Sequence, residues 1–435
     1  MSYIRFAIVT IVFISFGFIV NGQNPGDSLS LTKIIGIVVQ NHPSVKEMIE
    51  AISSADAGIG LAKSRYYPNV IAQASYTRLG PADEMTIPHL GSFELYPVNN
   101  YSASINFEQT IYDFGKTSKN VELADEVKTL SKLSVEQVKQ KLASAVTFLY
   151  YAVVYLQEAI LINKEQLKTL NEHLNFIEKK EASGSATQYE ILSTKVKISN
   201  VESHGIELNT ALNNQLTEIN SLMGQTATMR FNVKKDMNIK LPDIPADSLI
   251  SFAYAHRDET NILNQKTTIA DLKYKIVKAQ NNPAFNFYAS GGDKNGYFPN
   301  LNAMKLNYAV GVGFKFLLFD GTKTKYLLQQ AKSGVQTTTL ETEMAKRTIS
   351  SEVTENEENL KAALKKIEHF NLQLSQSQEA YKLAQASFNA GSITNLDLLD
   401  AATAISESSL LLLKSRIEYI VNVYKLKLSI GERLY

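Results

Sequence analysis

Gly184-Ser-Ala-Thr-Gln-Tyr-Glu-Ile-Leu192 returns 207 residues later as Gly391-Ser-Ile-Thr-Asn-Leu-Asp-Leu-Leu399. In each copy a Gly closes a long segment of helical apolar rhythm. A Thr three residues on (Thr187, Thr394) is followed at i+3 by an acid (Glu190, Asp397). Glycine suits the left-handed residue after a helix, and Thr with an acid three positions later is the capping box that starts one. Each stretch therefore reads as a tight reversal between two helices.

The same offset of 207 relates Asp113 in Ile111-Tyr-Asp-Phe-Gly-Lys116 to Asp320 in Leu318-Phe-Asp-Gly-Thr-Lys323, and Gly224 to Gly431. Pro68 in Tyr66-Tyr-Pro-Asn-Val70 answers Pro283 in Asn281-Asn-Pro-Ala-Phe285 at an offset of 215, so the first copy carries a longer loop. The chain is one unit written twice.

Between Lys116 and Ser183 there is no Pro or Gly, and apolar residues from Val135 to Ile177 keep a three-four spacing. Thr322 to Ala390 repeats the pattern with one Gly, at 334. Each predicts a helix on the order of 100 Å long at 1.5 Å per residue. The return helices, 187–223 and 394–430, cover about half of each rod. Short helices before each Pro, ending in the first copy at Asn41-His-Pro43 and near Arg65, must cover the rest. Ahead of each rod the period changes to two. Val70, Ala72, Ala74 and Tyr76 alternate with polar residues, as do Tyr101, Ala103, Ile105 and Phe107. In the second copy Tyr308, Val310, Val312, Phe314 and Phe316 alternate with Ala309, Gly311, Gly313 and Lys315. These are two hairpins, about 69–110 and about 284–318, the first with a polar loop at its tip. Aromatic residues at the ends of the apolar faces (Tyr101, Tyr308, Phe319) suit a bilayer interface.

The expected organisation is a first repeat over 23–224, an equatorial connection over 225–247 containing Pro242 and Pro245, and a second repeat over 248–435. Residues 1–22 read as a secretory signal peptide: Arg5 precedes an apolar run from Phe6 to Val20, about 15 residues where a membrane span needs about 20. No later run is expected to cross a membrane as a helix. The balance of 44 basic and 43 acidic residues gives no field to draw nucleic acid, and the absence of Cys removes thiolate metal sites, disulfides and a lipid-bearing cysteine. The six His residues (42, 89, 173, 204, 256, 369) show no ligand spacing and read as isolated, so neither metal nor cofactor is expected. Gly311-x-Gly313 lies inside a strand pattern and lacks the third Gly of a dinucleotide loop. With no Ser-His-Asp order, paired acids or phosphate loop, an enzyme is not expected.

Strands cross a bilayer only as closed barrels, and the smallest single-chain barrels have about eight strands, so four strands per chain call for oligomerisation. With these features the sequence resembles the TolC family of outer-membrane efflux channels over nearly the whole mature chain. The resemblance is carried by Asn41-His-Pro43, Pro68, Tyr112-Asp-Phe-Gly115, Phe319-Asp-Gly321, both Gly-x-x-Thr-x-x-acid turns, and above all Leu396-Asp-Leu-Leu-Asp-Ala-Ala-Thr403. It implies an α+β membrane protein: a homotrimer whose 12-stranded transmembrane β-barrel in the outer membrane continues into a long α-helical periplasmic barrel. A periplasmic adaptor (membrane fusion protein) and an inner-membrane transporter would be its partners, and the function a passive duct for small molecules or drugs.

The resemblance also assigns sites. Glu190, Asp397 and Asp400 fall at the periplasmic aperture; capping explains the first two without further function, whereas Asp400 lies one turn beyond Asp397. Phe388 and Ile393 stand where the family carries a Tyr and an Arg that lock the closed state. Gly184, Thr187, Gly391 and Thr394 form the adaptor-docking tips, and Tyr308, Val310, Val312, Phe314 and Phe316 the lipid-facing strand. A protein-secretion outlet of the same fold is the nearest alternative, and the absence of Met or His clusters weakens copper export. A soluble periplasmic coiled-coil adaptor is the alternative from another class, but adaptors carry strand-rich segments apart from their hairpins.

Overall fold

A chain with two Pro-free rods and strands only ahead of them should fold as hairpins joined end to end, and the computed structural model has this form. It describes residues 28–81, 84–89 and 91–435; the expected signal peptide lies outside the described residues. Helices α1 (Leu31–Asn41) and α2 (Pro43–Lys63) lead into strands β1 (Asn69–Arg78), β2 (Glu84–Ile87), β3 (Gly91–Glu94) and β4 (Asn99–Tyr112). The rod α3 (Lys116–Ala182) and its return helix α4 (Gln188–Met223) follow. The second half runs through α5 (Leu249–His256), α6 (Asp258–Lys278), β5 (Ala284–Lys294), β6 (Lys305–Lys315), the rod α7 (Lys323–Asn389) and its return helix α8 (Asn395–Ser429). Both rods have 67 residues.

Local chemistry sets the ends of these elements. His42 closes α1, accepts a hydrogen bond from Ser44 N–H on Nδ1 at 3.2 Å and places Pro43 in the first turn of α2, where the missing N–H costs nothing. Each rod starts on an acid. Asp113 Oδ2 accepts from Thr117 N–H at 2.8 Å and its hydroxyl at 2.6 Å, and Asp320 Oδ2 accepts from Thr324 N–H at 2.8 Å. These contacts give the two Asp-containing junctions a physical role.

The four long strands form one antiparallel sheet in the order β1-β4-β5-β6, so the halves join through β4 and β5. The register brings the apolar residues onto one face: Val70 faces Phe107, Phe107 faces Ala289, and Phe287 faces Val312. Ser75 with Ser102, Ser104 with Gly292 and Tyr288 with Gly311 share the other. A Cβ on Gly311 would come within 2.4 Å of Tyr288 Oη, so glycine there makes room for the ring. The polar loop expected at the tip of the first hairpin contains a separate hairpin, β2 with β3, in which Thr86 and Ser92 hydroxyls meet at 2.8 Å.

The main core lies at mid-rod. Val146, Tyr150, Tyr151 and Val153 of α3 pack with Ile34, Ile35 and Val38 of α1, Leu216 and Ile219 of α4, and Ile420 of α8. The connection crosses this level: Leu29 bridges Val233, and Tyr150 donates its hydroxyl to Lys234 O at 2.7 Å. Contrary to the sequence reading, α3 has an 18-residue window apolar enough to cross a membrane on length and composition, but half of it is buried within the chain. The apolar excess is the girth core. Away from it, α4 leaves Tyr189, Leu192, Val196 and Ile206 exposed, and α7 leaves Leu340, Met344, Leu372 and Leu383 exposed.

Candidate functional site

The sites expected from the sequence lie at opposite ends of the rods. At the helical end, Gly184 has φ +76° and Gly391 φ +72°. These left-handed residues let Ser185 N–H reach Lys180 O at 2.8 Å and Ser392 N–H reach Ser387 O at 2.9 Å, closing the last turn of each rod. Both capping boxes form: Glu190 N–H donates to Thr187 Oγ1 and Asp397 N–H to Thr394 Oγ1, each at 3.3 Å. The carboxylates reach back, Glu190 Oε2 to Thr187 N–H at 2.7 Å and Asp397 Oδ2 to Thr394 N–H at 2.9 Å. The Thr394 hydroxyl and then its N–H hold the Asp397 carboxyl below its ordinary pKa.

Asp400 behaves differently. Its Oδ1 lies 3.1 Å from Lys197 Nζ on α4, so the acid ties α8 to the other hairpin. Sequence reasoning missed Lys197 because the pair is 203 positions apart. Phe388, expected at the aperture, is buried at 6% exposure on the seam between the two hairpins, packed with Ile177, Ile191 and Leu398. Its ring stands 5.6 Å from that of His173 and lies under Lys180 Nζ at 4.9 Å. Nor is His173 isolated. Its Nε2 is 2.6 Å from Asn395 Oδ1, and the Asn395 amide donates to Thr194 Oγ1 at 3.2 Å and Glu190 O at 3.3 Å. Ile393 packs at the margin of the same cluster. A lone His and an Asn in the first turn of a helix gave no sequence signal for this link among α3, α4 and α8.

At the other end Tyr308, Val310, Val312 and Phe314 project from β6 with 84%, 65%, 69% and 59% exposure, and Phe316 continues the series just past the strand. Leu306 belongs to this face at 86% and was missed. So large an apolar surface on one side of a sheet, opposite a polar and glycine-lined side, is what a bilayer-spanning strand presents. Among the described residues no group of three or more His, Cys, Asp or Glu is arranged to hold a metal.

Comparison with known proteins gives the same class. The profile of the family described as Outer membrane efflux protein matches residues 34–225 and 265–432. Outer membrane protein TolC of Vibrio cholerae is 26% identical over a segment that is 33% of each chain. The alkaline protease secretion protein AprF of Pseudomonas aeruginosa is 21% identical over 91% of this chain and 83% of its own. Among solved structures, the outer membrane protein VceC from Vibrio cholerae superposes with a TM-score of 0.76 at 17% identity, over 93% of this chain and 97% of that one. Sheet, rods and likenesses together define an outer-membrane channel of the efflux and secretion class. The chain belongs to the outer membrane efflux protein family.

Proposed function

We propose that three copies of this chain close a 12-stranded barrel and a helical tunnel beneath it, forming the outer-membrane duct of a tripartite efflux system. The observation that carries the reading is the four-stranded sheet with one apolar face and two edges that are free among the described residues, where β1 pairs only with β4 and β6 only with β5. Each unpaired backbone group in hydrocarbon costs several kcal/mol, so β6 of one copy must pair with β1 of the next. The resemblance sets the number at three. The exposed apolar residues of α4 and α7 fit the same assembly, because the helices flanking each protomer need partners in a closed ring.

In this reading the two repeats, 23–224 and 248–435, contribute equivalent parts of the wall, and 225–247 belts them at the girth. Tyr308, Val310, Val312, Phe314 and Phe316 meet lipid. The reversals at Gly184, Thr187, Gly391 and Thr394 dock a periplasmic adaptor, through which an inner-membrane transporter delivers cargo. Glu190, Asp397 and Asp400 ring the aperture, with Asp400 partly neutralised by Lys197. The duct is passive, and its cargo is small molecules. The likeness to AprF, a protease secretion protein by name, favours protein export as the second reading.

Native mass spectrometry and planar-bilayer recording of outer-membrane material test the architecture together: stable inserted monomers, or trimers that never conduct, would refute it. Docking is tested by Gly391→Val, in which a β-branched residue is forced to positive φ. Export should fail while the trimer stays inserted; normal export at normal abundance would remove the tips from the docking surface. Loss of small-molecule resistance against loss of a secreted protein in a deletion strain separates the two cargoes.

A further inference from the structure

Phe148, Ala152 and Tyr155 recur at spacings of four and three on α3. At about 100° per residue they lie roughly opposite Val146, Tyr150 and Val153, the side chains covered by α1 and the connection. Together with Ile417 and Val421 of α8 they floor a groove of about 720 Å³, within the roughly 300–1,000 Å³ of small-molecule sites. Its rim is cationic: Lys366 of α7 and Lys414 and Lys425 of α8 stand against a single acid, Glu418. Glu418 is engaged by Lys366, 3.5 Å away. Among the described residues neither Lys414 nor Lys425 makes an ion pair. The adjoining cavity shares Phe148 and Lys425 but sets Lys141 and Arg257 against Asp258, Glu259, Glu352 and Glu355, so the positive excess is confined to the groove.

We propose that this groove is a binding site on the wall of the duct for an anionic amphiphile. The apolar body lies along Phe148, Tyr155, Ile417 and Val421, and the anionic group pairs with Lys414 or Lys425. The two lysines are about 16 Å apart along α8 and bracket the apolar residues, so either can take the head. The α3 face opposite the girth belt is the one that turns inward when the rods close into a ring, and this step rests on the duct reading given above. Burial raises the Tyr155 phenol above its ordinary pKa, as expected of a ring lodged in an apolar floor.

The test uses the whole chain, assembled in phosphatidylcholine nanodiscs and titrated with the anionic dye 1-anilinonaphthalene-8-sulfonate beside uncharged N-phenyl-1-naphthylamine. The double variant Lys414→Glu/Lys425→Glu should weaken the anionic dye about tenfold or more and leave the neutral dye nearly unchanged. Equal affinities before and after, or equal loss of both dyes, overturns the proposal. Since the chain has no cysteine, Lys414→Cys introduces a single thiol. Its modification by a sulfonatoethyl methanethiosulfonate should lower single-channel conductance, and the anionic dye should slow that modification. A thiol that reacts without changing conductance, or never reacts because a neighbouring helix covers it, overturns the groove proposal while the channel still conducts. Wild-type protein that never conducts defeats the duct reading itself.

Discussion

Alanine at Gly292 should weaken the assembled sheet, and alanine at the preceding Gly291 should not. A Cβ on Gly292 would stand 2.2 Å from Ala103 O and 2.7 Å from Ser104 Cα, both backbone atoms of β4. Carbon–oxygen contacts between strands ordinarily sit at about 3.3–3.6 Å, so β4 and β5 would have to part by about 1 Å. β4 is hydrogen-bonded on both sides, to β1 and β5, and cannot simply swing away. Overpacking costs about 1–3 kcal/mol, and loss of glycine's extra unfolded freedom returns about 0.5–1 kcal/mol, leaving a net cost of up to about 2.5 kcal/mol per chain and about three times that in a trimer. At Gly291 the added methyl meets nothing within 4 Å. The assay is the temperature at which the oligomer dissociates on unheated gels, read for both variants against the parent. The reasoning is refuted if Gly292→Ala and Gly291→Ala dissociate together with the parent, or if Gly291→Ala is the weaker.

Val312→Arg, on the 69% exposed apolar face of β6, should cost about 2–4 kcal/mol if it lies near mid-bilayer, seen as loss of barrel insertion. Asp400→Ala should shift the reversal potential toward lower cation selectivity and Lys197→Ala toward higher, because the two oppose each other at 3.1 Å; identical reversal potentials would reduce the pair to a structural tie. Thr187→Ala should lower local stability of the first reversal by about 1 kcal/mol, detected as faster proteolysis near residue 187 with the barrel intact. Burial, reinforced by the charge of Asp236, pushes the Tyr150 phenol up to about 12. Its folded pKa is raised, so its contribution to stability is complete below the ordinary phenol value of about 10 and is lost as pH rises through 12. Alkaline melts should show that loss, with a shallower slope in Tyr150→Phe.

The reversals were legible because a cap is a local device. The bonds that Gly184 and Thr187 set up close within five residues, so they follow from the order of residues alone. The strand faces were legible for a similar reason: period-two alternation survives in any register that keeps one side apolar. The β2–β3 hairpin was not, since each strand has only four residues, too few for the alternation in Glu84-Met-Thr-Ile87 to stand out from a loop. The buried place of Phe388 was missed because helical periodicity says that a residue faces something, not which neighbour it faces.

By itself, then, the sequence determined two rods, two reversals, two membrane-grade hairpins and the family they point to, all from interactions closed within about one turn or one strand. Only the tertiary structure decided which surfaces meet. It joined the halves through β4 and β5, set Lys197 against Asp400, and gathered His173, Asn395 and Phe388 at the seam. It also separated Gly291 from Gly292, identical neighbours in the chain, by turning one to open space and the other against the β4 backbone. Such contacts bring together residues far apart in the chain, and their geometry depends on strand register and helix packing, which no local pattern encodes.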